Sequence, residues 1–95
     1  MTTPASDMQA IEAEYDGWAD VLYITVGAAT PARYEEDEDG LVWRIDRAGV
    51  CYGVTVLDYN AFWSRRLASL RSKIVQTLHV TDPDLNEALS KRGPI

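Results

Sequence analysis

The chain has 95 residues and a formal net charge of −6. That is enough for one domain, because two would each fall near or below the roughly 50 residues that a self-supporting core needs. Leu, Ile, Val and Phe supply 22 of the 95 residues, above the roughly one-fifth below which a charged chain stays unfolded, so disorder throughout is excluded.

Apolar stretches such as Val21 to Ile24 fall far short of the about 20 residues a membrane helix requires. Met1 to Asp7 has neither the basic start nor the apolar centre of a secretion signal, and Cys51 is the one cysteine. A single thiol excludes an internal disulfide framework and a cysteine-rich metal cage, so a cytoplasmic location is expected. Charge is uneven. Up to Tyr59, twelve acids stand against Arg33, Arg44 and Arg47, giving −9, while the remainder carries six cations against three acids, giving +3. An acidic body disfavours nucleic acid, whose phosphates need clustered cations.

Residues 1–9 read as a flexible tail. Ile11, Ala13 and Tyr15 alternate with Glu12 and Glu14, the two-residue period of a strand with one wet face. Asp16 to Asp20 supplies turn formers, and Val21 to Val26 is β-branched and aromatic enough for a central strand buried largely on both faces. Arg33 to Glu35 reads as a short edge strand, beside an acidic run that discourages further pairing. Leu41, Trp43 and Ile45 alternate with Val42, Arg44 and Asp46. Asp46-Arg47-Ala48-Gly49 then has Asp and Gly where a type I turn with a following bulge places them. Val50 to Leu57 returns as the last strand, with Gly53 marking a bulge or the close approach of another backbone or ring.

From Asn60 the period changes, with Trp63, Leu67, Leu70, Ile74 and Leu78 recurring at helical steps. An amphipathic helix from an Asn60 cap to Leu78 is therefore predicted, its cations facing water. Asp82-Pro83-Asp84 starts a second, short helix with Asp82 as its cap, and Gly93-Pro94 stops it. Residues 10–79 are read as the single sheet-plus-helix domain and 80–95 as the short helix and tail. The fold class is α+β: an antiparallel β-meander of four or five strands with a C-terminal amphipathic helix packed on one face.

Tyr15-Asp16-(three residues)-Asp20-Val21-Leu22-Tyr23-Ile24, followed by Asp46-(two)-Gly49-(three)-Gly53-(three)-Leu57-Asp58, resembles the small bacterial domain-of-unknown-function family numbered 2283. The likeness runs from Ile11 to about Tyr59, and the long basic helix beyond departs from it. It implies a β-meander with no assigned chemistry and, through members encoded beside small ribonuclease-like toxins, an antitoxin-like role. The same residues have structural readings: Asp16, Gly17 and Gly49 suit turns, Leu22, Ile24 and Leu57 the core, and Tyr15 and Tyr23 cross-strand pairs.

Glu35-x-Asp37-x-Asp39-Gly40-(five)-Asp46 imitates a calcium loop, with alternate oxygen ligands and glycine at the sixth position. Its first and last ligands are the wrong acids and no helices flank it, so no metal is assigned. His79 has no nucleophile or carboxylate beside it in the sequence and reads as a helix-end residue. Cys51, on a strand, reads as a small apolar residue. No catalytic residue and no cofactor is called for.

The sequence favours a non-enzymatic protein-binding module over a small enzyme or ligand-binding domain with a site assembled from separate strands. Its candidate partner-facing residues are Glu35, Glu36, Asp37, Glu38 and Asp39, read as a solvated or partner-facing run, with Trp18 at a turn tip. The expected partner is a small basic toxin-like protein. Arg65, Arg66 and Lys73 form a second candidate face, for an acidic partner or for the chain's own acids. A homodimer is expected because a short sheet leaves an edge strand open.

Overall fold

The computed structural model describes residues 10–90; the expected tail 1–9 and the Gly93-Pro94 stop lie outside the described residues. Five strands, β1 (Ile11–Asp16), β2 (Val21–Val26), β3 (Pro31–Glu36), β4 (Val42–Asp46) and β5 (Cys51–Leu57), form one antiparallel sheet, followed by helices α1 (Leu67–Leu78) and α2 (Asp82–Ser90). This is the α+β architecture that the alternating pattern specifies.

Within the sheet the order is β1-β2-β5-β4-β3. The two most apolar strands, β2 and β5, take the inner positions where both edges are paired, and the acid-bearing β1 and β3 are left at the rims. Residues 27–30 must therefore cross three strand spacings, about 14 Å. Five Cα steps from Val26 to Pro31 reach about 17 Å when nearly extended, so the link has little slack.

Register sorts the side chains. Tyr15 pairs with Leu22, Leu22 with Val56, Ile24 with Val54 and Val54 with Trp43, placing these on one face. Onto that face pack Leu70, Ile74 and Leu78 of α1 and Leu85 of α2. The opposite face carries Tyr23, Thr25, Thr55, Leu57, Val42, Arg44, Tyr34 and Glu36, and no element among the described residues covers it. The expectation that β2 is buried largely on both faces holds only in part: on the open face Val21 is buried and Thr25 half-buried, but Tyr23 is exposed, because the one helical layer covers the other side.

Three boundaries also move. The predicted helix from Asn60 starts instead at Leu67, after a 3₁₀ turn at Trp63–Arg65. Asn60 does not cap it, because no helix begins beside it; its backbone amide and that of Ala61 donate to the Asp20 carboxylate at 2.7 and 3.0 Å, which ties the segment to the β1–β2 turn. Asp58 sits in the left-handed region at φ 54°, bending the chain away from a helix there. The second helix is capped one residue earlier than read, by Thr81, whose hydroxyl accepts from the Asp84 amide at 3.2 Å. Strand β3 is longer than the predicted Arg33 to Glu35, and all six of its residues are exposed.

Candidate protein-interaction surfaces

The acidic run ends in a tight turn built on Asp37. Its Oδ1 accepts from the amides of Asp39 at 2.8 Å and Leu41 at 3.0 Å, while Gly40 takes φ 84°, a conformation open to glycine at little cost. Its Oδ2 accepts from Trp43 Nε1 at 3.0 Å and Lys73 Nζ at 3.1 Å. Lys73 also donates to Asp39. Partial burial pushes the Asp37 carboxyl upward, but the hydrogen bonds from Trp43, Lys73 and the two amides together hold it below the usual carboxylate range. Lys73 is raised in turn, first by Asp39 and then by Asp37.

The solvated reading of the run therefore holds for only part of it. Asp37 and Asp39 are engaged by a lysine of the same chain, Glu35 is paired with Arg33 along β3 at 3.0 Å, and Glu36 and Glu38 are exposed without an ion pair among the described residues. The cationic face is divided as well. Lys73 is spent on the acidic turn, Arg66 lies 4.1 Å from the Phe62 ring centroid and donates to the Phe62 carbonyl, and Arg65 is exposed. Trp18 is fully exposed at the tip of the β1–β2 turn, where the Asp16 carboxylate accepts from its amide at 3.0 Å. Strand direction puts this tip at the same end of the sheet as the Asp37 turn, with residues 58–62 between them.

Two features were not legible in the sequence. Asp20 gathers the Tyr15 hydroxyl at 2.6 Å together with the amides of Asn60 and Ala61, and these bonds, led by Tyr15, depress its pKa. On the open face, Arg44 lies across Gly53: its Nη2 donates to the Ile24 carbonyl at 2.6 Å and to Thr25 Oγ1 at 3.1 Å. A Cβ at position 53 would sit 2.6 Å from that nitrogen. Gly53 thus serves a close approach, but the side chain that fills the space is a guanidinium and not the ring expected, with the Ile24 carbonyl beside it; a register shift between Arg44 and Ile45 adds the bulge. The signal available in sequence was the pairing of a glycine with a cation on the neighbouring strand.

The residues weighed for chemistry are not brought together. His79 is exposed and in the left-handed region at φ 57°, ending α1. Cys51 is half-buried and its thiol is pushed up, chiefly by desolvation, the opposite of what a nucleophile needs. No metal-holding group of acids, histidine and cysteine occurs among the described residues. A cleft of about 210 Å³ between the sheet and the two helices is lined by Leu22, Ile24, Leu70, Ile74 and Arg71 among others. No helix of the described residues is long and apolar enough to cross a membrane.

Residues 13–59 match the model of a protein family described as "Protein of unknown function (DUF2283)", and the match supports membership of that family. The matched stretch runs from β1 to the residues just after β5, so it is the sheet that carries the membership, while α1 and α2 lie beyond it. No curated protein and no solved structure matches the chain significantly.

Proposed function

We propose that this DUF2283 chain is a non-enzymatic protein-binding module that holds a small cationic protein on the open face of its sheet, as an antitoxin would hold a basic ribonuclease-like toxin. The observation that carries this reading is the make-up of that face. Tyr23, Leu57 and Tyr34 are 38, 46 and 63 % exposed, and carboxylates stand at both rims, Glu12 and Glu14 on β1 and Glu36 on β3. Tyrosine rings make interface anchors at small entropic cost, and a ring of like charge selects an oppositely charged partner and speeds its approach. The charge of −9 carried up to Tyr59 supports the same sign of partner.

The test is photo-crosslinking in the source cells from a benzoylphenylalanine placed at Leu57 or at Tyr23, followed by titration with the purified partner. The reading expects a cationic protein whose affinity falls steeply with salt and drops at least tenfold in Leu57→Asp. A partner without net positive charge, an affinity indifferent to Leu57→Asp, or no cross-linked partner from either position overturns it.

A further inference from the structure

The β3 edge has a property independent of the partner proposed above: its sequence complements itself. β3 is the outermost strand, all six residues are exposed, and one of its two sides is paired. Pro31 and the register shift between Pro31 and Arg33 blunt its start, leaving Arg33 to Glu36 as regular strand with unpaired backbone groups facing outward, a template for another strand. We propose that a second copy of this chain pairs there, antiparallel, about a two-fold axis through Tyr34, joining the two sheets into one of ten strands.

The register follows from charge. In an antiparallel pair, residues directly opposite share a face, so a two-fold pairing must be centred on a residue. Centred on Arg33 it sets two guanidinium groups against each other, and centred on Glu35 it sets two carboxylates against each other, both unfavourable. Centred on Tyr34, each Arg33 faces Glu35 of the other copy, and the two Tyr34 rings meet on the open face. Glu36 then faces Ala32, which carries no charge. Arg33 and Glu35 already pair along the strand at 3.0 Å, with both side chains 57 % exposed, so the second copy completes an alternating square of four charges. The axis is perpendicular to the sheet, so the helices of both copies lie on one side and the open faces merge on the other.

The test is the mass in solution, by sedimentation equilibrium at physiological salt, from low micromolar to several hundred micromolar protein. The parent chain is expected at twice the monomer mass. Arg33→Glu and Glu35→Arg, both on an exposed edge and both checked for an unchanged circular dichroism spectrum, are each expected to weaken association at least tenfold. An equimolar mixture of the two single variants restores the dimer, because the two acids of one copy then face the two guanidinium groups of the other. The double variant R33E/E35R restores it too, since exchanging the charges leaves every acid opposite a base. A parent chain that stays monomeric throughout, single variants that remain dimeric, or a mixture and double variant that stay monomeric would overturn the pairing. No partner protein is present, so the outcome is read separately from that of the cross-linking experiment.

Discussion

Two turns of this protein share a local code and differ in what surrounds them. Asp37-Glu38-Asp39-Gly40 and Asp46-Arg47-Ala48-Gly49 each open with an aspartate whose Oδ1 accepts the amides two and four residues on, at 2.8 and 3.0 Å in the first and 2.9 Å twice in the second. In each, the glycine amide donates to the aspartate carbonyl at 3.0 Å, and the glycines take φ 84° and 85°. The second turn ends there. The first lies at the other end of β4, where Asp37 uses its remaining oxygen for the Trp43 indole and Lys73. A motif that closes a hairpin in one place therefore also fastens helix α1 to the sheet in the other. The difference is in tertiary position, not in the turn.

The largest effect expected from this contrast is on removal of the aspartates. Asp37→Ala should cost about 2–3 kcal/mol in denaturant unfolding, because an indole N–H and two amides lose their acceptor in a partly dry site. Asp46→Ala should cost about 1 kcal/mol, since the amides it frees are open to water. Equal losses in the two variants would remove the fastening role of Asp37.

The glycines sharpen the comparison from the other side. Neither Gly40 nor Gly49 has a neighbour within 4 Å of where a Cβ would stand, so Gly40→Ala and Gly49→Ala should each cost about 1–2 kcal/mol, from left-handed strain alone. The two values should agree within error. A clear excess at Gly40 would mean that the surroundings act on the backbone as well as on the carboxylate.

Acid titration gives a smaller, signed effect. Folding depresses the Asp37 carboxyl, so the unfolded chain binds the proton more tightly. The stability this contributes is complete above the ordinary aspartate value near about 4 and is lost as pH falls through the lower folded-state value. Asp20 is depressed too and adds to the same slope. Melting followed between pH 6 and pH 2 should therefore show a shallower acid-side loss in Asp37→Asn than in the parent, and identical slopes would contradict the assignment.

The smallest effect concerns the lysine. Lys73→Met keeps the aliphatic stem and removes the charge, so it should cost about 0.5 kcal/mol at low salt and less as salt screens the pair. Folding raises the Lys73 ammonium, so its contribution is present below the ordinary lysine value and fades as pH rises through the raised one. A loss as large as that of Asp37→Ala would shift the anchor from the indole to the ion pair.

The sequence by itself determined what depends on near neighbours. Alternation at Ile11, Ala13 and Tyr15, the Asp46 to Gly49 turn and the stripe Leu70, Ile74 and Leu78 each rest on two-residue or helical periods and on a side chain reaching its own backbone, all of which are local. Tertiary structure decided the rest. That β5 slots beside β2, leaving β3 at the edge, depends on which strands most need burial on the covered face. That Asn60 lies in a turn and not at a helix start goes with Asp20, forty residues away, binding its backbone amide. That two acids of the run turn toward Lys73 depends on where α1 comes to rest. Spacing along the chain records none of these choices, because each is made by groups that meet only after the sheet has formed and the helices have closed over one of its faces.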